Sequence, residues 1–135
     1  MSEFKLSQRS LDRLNGVHPD LVAVVKHAIE ITPLDFGITK GLRDRVRQEK
    51  LVASGASTTM NSRHLTGHAV DIVIYYEGEV TWHGGHYDRV WREAFEPAAR
   101  ELGIPITWGG NFKSFFDGPH FELTWEDYPA DKLEA

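Results

Sequence analysis

His64, Asp71 and His120, three side chains that could bind a metal ion, lie at the starts of two strand-like segments. His64 and Asp71 bracket the point where a polar loop passes into an apolar run at residues 69–76. That run is rich in β-branched residues and predicts a central strand, so Asp71 is a carboxylate in a segment that we expect to be buried. Because a buried charge is costly unless it is compensated, a metal ion is the strongest explanation for Asp71.

His120 opens the second strand-like run, residues 120–124, and Asp117 precedes it by three positions. Two histidines and one aspartate leave one position of a tetrahedral zinc ion open for water, which is typical of catalytic rather than structural zinc sites. Asp117 lies outside this ligand set and could be the general base for that water. Alternatively, Asp117 could be a turn residue only, because the sequence Asp-Gly-Pro favours a turn.

Five further histidines are interpreted as bystanders. His68 lies four residues after His64, but Thr-Gly between them disfavours a helix, and the Glu that follows the first His of a helical zinc motif is Leu here. We therefore expect His68 on the cleft wall or the surface. The others are surface or core residues, with an adventitious metal conceivable at the last two of them: His18, His27, His83 and His86.

Three motifs, in this order, resemble those of one zinc peptidase family: Ser62-x-His64-x-x-Gly67-x-Ala69-x-Asp71, Trp108-Gly-Gly110 and Asp117-x-x-His120-Phe-Glu-Leu123. The family contains the D-alanyl-D-alanine carboxypeptidases and dipeptidases and the phage L-alanyl-D-glutamate endopeptidases. The resemblance covers about residues 20–124, and short phage lysis enzymes match the chain best in length. It is specific because the motifs occur together and in order.

The resemblance implies a zinc site and its chemistry. His64, Asp71 and His120 would bind Zn²⁺, and Asp117 would take the proton from the zinc-bound water and pass it to the leaving amine. The family also places an arginine near Arg43, where a planar donor fork would stabilise the developing oxyanion or grip a substrate carboxylate.

Other readings of the cleft residues remain open. From the residues alone Arg43 is a surface charge at a helix start, and Arg45 and Arg47 are close enough to take its role. Ser62 would line the substrate cleft by resemblance, although it could be no more than a loop cap. Trp108 could be a core residue or a wall that packs against the substrate. Relatives often carry Asp and Trp where this sequence has Asn111 and Phe112. This difference leaves the zinc ligands intact but should change the shape of the substrate pocket.

The helices and strands that must position these residues are predicted from hydrophobic periodicity and from the residues that start and stop helices. The pattern predicts helices at 7–16, from Pro19 to about 32, at 44–53 and at 87–102, and strands at 36–39, 69–76, 80–82, 104–108 and 120–124. Leu11 and Leu14 should face inward, residues 82–87 should form a loop, and Pro97 should kink or divide its helix. The predicted architecture is α+β, a small mainly antiparallel sheet with helices packed on one face. The fold of the hedgehog domains and D-Ala-D-Ala peptidases agrees with it.

The length, the absence of cysteine and the net charge limit the classes of function that the protein can have. The 135 residues predict a single catalytic domain without a separate cell-wall-binding domain, and we expect a monomer. The absence of cysteine leaves metal binding to histidines and carboxylates. The net charge of −5 argues against nucleic-acid binding and against electrostatic capture by an anionic wall.

The N-terminus lacks the apolar region of a signal peptide, and no stretch reaches membrane-spanning length, so we expect no membrane insertion. The protein should stay in the cytoplasm of the host cell until another factor releases it to the cell wall.

These observations predict a zinc-dependent peptidoglycan peptidase of the phage endolysin type, which hydrolyses the L-alanyl-D-glutamate bond of the stem peptide. A D-alanyl-D-alanine carboxypeptidase is the alternative within the class. A zinc-binding module without catalysis, as in the related hedgehog signalling domain, is disfavoured because Asp117 is present. A purely structural zinc domain is disfavoured because only three protein ligands are evident.

Overall fold

A computed structural model describes residues 2–55, 63–113 and 115–129 of the chain. Its α-helices are α1 (Gln8–Arg13), α2 (Pro19–Ile31), α3 (Arg45–Ala53), α4 (Gly84–Val90) and α5 (Glu96–Leu102). Its strands are β1 (Asp35–Lys40), β2 (Ala69–Tyr76), β3 (Glu79–Thr81), β4 (Ile106–Trp108) and β5 (His120–Leu123). Short 3₁₀ turns occupy Arg63–Thr66 and Gly109–Asn111, and a π turn occupies Trp91–Phe95.

Strand β2 organises the sheet. The strand order is β1-β2-β5-β4, with β3 paired to β2 as well, and all of these ladders are antiparallel. The first residues of β2 pair with β5, and its last residues pair with β3. This confirms the predicted α+β fold with a mainly antiparallel sheet.

The core lies between the sheet and the helices α2, α4 and α5. Pro19 begins α2, where its missing N–H costs no hydrogen bond, and His18 caps the helix by accepting the N–H of Asp20. The face of α2 predicted to be apolar is buried along its whole length. Phe95 of the π turn packs between Phe36 of β1 and Phe121 of β5, with ring centroids 5.1 and 4.1 Å apart. These contacts hold the helices on the sheet.

Two local predictions were wrong. Leu14 is buried, but Leu11 is 37% exposed, because α1 is short and turns only one side to the core. The segment predicted as a loop at 82–87 contains the start of α4, since the ring of His83 accepts the N–H of Gly85 and so satisfies a free helix donor.

The predicted break at Pro97 takes the form of a π turn just before it. Proline lacks the N–H for the preceding turn, and its ring crowds the carbonyl four residues earlier. The wider turn at Trp91–Phe95 accommodates this, and the helix continues into α5. Among the described helices, none is long and apolar enough to cross a membrane.

Candidate metal centre

The predicted ligands His64, Asp71 and His120 come together at one end of β2. One donor atom of each lies within 4.8 Å of the other two, and no other such group occurs among the described residues. Asp71 Oδ1 lies 3.2 Å from His64 Nε2 and 3.0 Å from His120 Nδ1. Two imidazole nitrogens and one carboxylate oxygen form a donor set that fits zinc and leaves a coordination position for water or substrate.

The sheet register places Asp71 beside His120. These two residues are Cα partners in the β2–β5 ladder, and Lys40 is the partner of Asp71 on the other side, in β1. The register between β1 and β2 shifts by a bulge between Ile38 and Lys40. A bulge re-aims the side chains that follow it, and the charge of Lys40, just after this one, acts on the carboxyl of Asp117.

His64 is held by the segment that follows β1. Its Nδ1 donates to the carbonyl of Gly41 at 2.9 Å, and its own carbonyl accepts the N–H of Arg43 at 2.9 Å. The bond to Gly41 fixes the tautomer, because the second nitrogen, Nε2, then carries the lone pair that a metal ion needs.

His120 is oriented by a carboxylate that the sequence analysis did not single out. Its Nε2 donates to Glu122 Oε1 at 2.7 Å, which leaves Nδ1 as the nitrogen that faces Asp71. Residues two apart on a strand point to the same side of the sheet. The sequence His-Phe-Glu in a predicted strand was therefore the signal that could have identified Glu122.

Arg63 supports Glu122 from behind. Its Nε lies 3.8 Å from Glu122 Oε2, and its Nη2 donates to the carbonyls of Leu123 and Tyr128 at 2.7 and 2.9 Å. The guanidinium lies 3.9 Å above the ring of Trp125. Burial lowers the pKa of Arg63, and the charge of Glu122 opposes that shift. Arg63 thus joins the turn that carries His64 to the strand that carries His120.

In the metal-free cluster, the local electrostatics favour an ionised Asp71 and a protonated His120. Burial alone would raise the pKa of Asp71, but the hydrogen bond from His120 and the contact with His64 hold it far below its usual range. Burial alone would lower the pKa of His120, but the hydrogen bonds to Asp71 and Glu122 raise it to about 9. The proton on His120 Nδ1, which faces Asp71, therefore occupies the position where a metal cation would bind.

Asp117 lies at the edge of the cluster, in the turn before β5. Its backbone carbonyl accepts the N–H of His120 at 3.1 Å, and its backbone N–H donates to Gly109 at 3.0 Å. A Cβ at Gly109 would collide with the carbonyl of Asp117, so this approach requires glycine. Burial raises the pKa of the Asp117 carboxyl, the charge of His120 lowers it, and the charge of Asp71 raises it. The carboxylate of Asp117 takes no part in these backbone bonds.

Trp108 lies under that turn. Its indole is 3% exposed, stacks 6.0 Å from the ring of Trp91, and donates from Nε1 to the carbonyl of Gly118 at 2.7 Å. The ring thereby anchors the turn that carries Asp117 and offers little surface to a ligand. Contact between Trp108 and substrate stays a prediction.

The remaining residues considered in the sequence analysis are Arg43, Ser62 and His68. Arg43 is half-buried beside the cluster; burial lowers its pKa, the charge of Asp71 raises it, and that of Arg47 lowers it. Ser62 lies outside the described residues. His68 lies outside the metal group, with its ring 5.4 Å from that of His18.

The protein resembles peptidases that cleave one particular bond. A family model described as phage L-alanyl-D-glutamate peptidase matches residues 1–124. The L-alanyl-D-glutamate peptidase of Escherichia phage T5 is 31% identical over 134 residues, covering 89% of this chain and 98% of that protein. The L-alanyl-D-glutamate peptidase of Listeria phage A118 is 32% identical over 126 residues, covering 91% of this chain and 43% of that protein.

A solved structure shows the same fold. The crystal structure of the Serratia marcescens L-Ala D-Glu endopeptidase ChiX superposes with a TM-score of 0.87 at 46% sequence identity. The match covers 95% of this chain and 96% of that one.

Proposed function

The chain belongs to the phage L-alanyl-D-glutamate peptidase family, and on that premise we propose that it is a zinc enzyme that hydrolyses the L-alanyl-D-glutamate bond of the peptidoglycan stem peptide. The observation that carries the proposal is the cluster of His64, Asp71 and His120, with the spare carboxylate of Asp117 beside it. Three protein ligands with an open coordination position are typical of catalytic zinc sites, and a separate carboxylate beside them can serve as the general base.

The residues divide the chemistry between them. His64 Nε2, His120 Nδ1 and Asp71 would hold Zn²⁺, which when bound supplies Lewis acidity that acidifies water and polarises a carbonyl. Asp117 takes a proton from the attacking water and returns it to the amine that leaves. Arg43 donates hydrogen bonds to the carbonyl oxygen as it gains negative charge. Ser62 would contact the substrate peptide from the segment that precedes His64.

The remaining expectations belong to the same proposal. The enzyme acts as a monomer on the stem peptide, with no nucleic acid as partner, and it recognises the wall through its cleft. It stays in the host cytoplasm until released to the wall. Each relative compared above is named for the L-Ala-D-Glu bond, which favours this bond over the D-alanyl-D-alanine bond.

Mass spectrometry of fragments released from purified peptidoglycan tests the proposal. Incubation with the zinc-loaded protein should produce new ends at L-alanine and D-glutamate, a chelator should abolish them, and added zinc should restore them. Release of single D-alanine would transfer the protein to the carboxypeptidase class. A zinc-loaded protein that releases no fragments from several wall types would make the non-catalytic module the better account.

A further inference from the structure

Two grooves adjoin the metal cluster, and they differ in charge. The first, which we call the basic groove, has a volume of about 420 Å³ and lies between α1, the end of β1 and α3. Its charged lining residues are Arg13, Lys40, Arg43, Arg47, Asp12 and Asp44. In a chain with a net charge of −5, this is a local excess of positive charge.

The wall of the basic groove contacts residues of the metal cluster. Its wall includes Thr39, whose hydroxyl donates to the backbone carbonyl of Asp71 at 3.2 Å. It also includes Gly41, whose carbonyl accepts the Nδ1 hydrogen of His64. The charge of Lys40, in the same wall, also acts on the carboxyl of Asp117. Residues 39–43 therefore form a wall that the groove shares with the surroundings of the metal cluster.

The two carboxylates of the groove are engaged with local donors. Asp44 caps α3 by accepting the N–H of Arg47 at 2.7 Å, and Asp12 accepts a hydrogen bond from Gln8 at 2.8 Å. Within the described part of the chain, the side chains of Lys40 and Arg47 form no ion pair. These two cations are available to an anionic ligand.

The second groove suits an anion poorly. It has a volume of about 580 Å³, and Phe112, Phe115 and Trp125 form its aromatic part. The carboxylates of Glu122 and Glu126 also line it, against the single cation of Lys113. An anionic part of a ligand that reaches the metal cluster is therefore drawn to the basic groove.

The chemistry of the scissile bond supplies such an anion. The D-glutamyl residue uses its amino group in the bond to L-alanine and has two carboxyl groups. At most one of them continues the peptide, so at least one is free, and with an ordinary pKa of about 4.3 it is negatively charged at neutral pH.

We propose that the basic groove binds the free carboxylate of the D-glutamyl residue, with Lys40 and Arg47 as its cationic partners. This inference rests on the proposed function and adds a direction to it: the leaving half of the substrate lies along residues 39–43 towards α3. The planar guanidinium of Arg47 can bind a carboxylate through two parallel hydrogen bonds, and Lys40 adds a point charge nearer to the cluster.

Two synthetic stem peptides test this inference. One has the free carboxylate on D-glutamate, and the other has a primary amide in its place, which keeps the shape and removes the charge. The wild-type zinc enzyme should cleave the acid with a kcat/KM about tenfold higher than the amide, as expected for one charge-assisted contact. This preference should shrink as ionic strength rises.

Variants locate the contact. Arg47→Gln should lower kcat/KM for the acid about tenfold and leave the amide nearly unchanged, whereas Arg47→Lys should retain part of the preference. Lys40→Met should lower the acid-to-amide ratio, in addition to any change common to both substrates, because the charge of Lys40 also acts on the carboxyl of Asp117. Arg92→Gln is the matched control, because it removes one exposed arginine from the π turn, where Arg92 pairs with Asp88. It should leave the ratio unchanged.

The failures of the two proposals are distinguishable. If wild type cleaves acid and amide equally, or if Arg47→Gln and Lys40→Met slow both substrates by the same factor, the groove assignment is wrong while the peptidase function stands. If the zinc-loaded wild type cleaves neither peptide nor purified peptidoglycan, the proposed function falls and the groove assignment falls with it.

Discussion

The ring of His120 is held between two carboxylates, and Glu122 takes the outer side by accepting its Nε2 hydrogen at 2.7 Å. The inner nitrogen, Nδ1, is thereby left for Asp71 and for a metal ion. Such outer carboxylates fix the orientation of a ligand imidazole and raise its basicity. Glu122 is therefore a positioning residue of the metal site although it does not itself belong to the donor set.

Replacing Glu122 with Gln should weaken zinc binding by about tenfold or more, because the amide accepts a hydrogen bond from His120 less strongly than the carboxylate does. Competition against a chelating indicator measures the change. Glu126→Gln serves as the control, since it removes an exposed carboxylate from the same region. A Glu122→Gln protein that loses thermal stability but keeps its zinc affinity would show that Glu122 acts on the fold alone.

Replacing Asp117 with Asn should lower kcat by about 10²- to 10⁴-fold, the usual contribution of a general acid–base group. The turn should persist, because only the backbone of Asp117 bonds to Gly109 and His120. Zinc content should stay near that of wild type by elemental analysis. An Asp117→Asn enzyme with wild-type turnover would eliminate Asp117 as the general base.

Zinc binding should release close to one proton per site near neutral pH. In the metal-free protein the pKa of His120 is raised to about 9, so His120 is protonated at pH 7 and must lose its proton to bind a cation. Zinc affinity should therefore rise about tenfold per pH unit up to about pH 9 and level off above it. Titration calorimetry in buffers of different ionisation enthalpy counts the protons. The same affinity from pH 6 to pH 9 would contradict the raised pKa.

Removing the metal should abolish hydrolysis without unfolding the chain. The apolar core between α2, the π turn and the sheet does not include the cluster residues, so circular dichroism of the chelated protein should keep its helical signal. The midpoint of thermal unfolding should fall, because a ligand at about 1,000 times its Kd contributes about 4 kcal/mol of stability by mass action. Complete unfolding on chelation would indicate a structural zinc site.

The sequence was most informative where local pattern determines structure. The apolar face of α2 and the bounds of β2 follow from periodicity and from turn residues, and the ligand set of His64, Asp71 and His120 is carried by motifs at the starts of elements. The start of α4 was missed because two consecutive glycines have low helix propensity, which the cap from His83 overcomes.

Contacts between distant segments could not be predicted in this way. The bonds of Arg63 to Leu123 and Tyr128 join residues 60 and 65 positions apart, and no periodicity connects such positions. The basic groove is also formed by separate elements. Lys40 and Arg47 line the same groove only when α1, β1 and α3 are packed together.

The pairing of β2 with β5 also determines when the enzyme can become active. Asp71 and His120 are 49 residues apart, and contacts of such separation form late because the intervening loop must close first. A chain that emerges from the ribosome N-terminus first contains His64 and Asp71 long before the third ligand is synthesised. The nascent protein therefore has no complete metal site, and its hydrolytic activity should appear in one step, only after His120 has been synthesised and β5 has paired with β2.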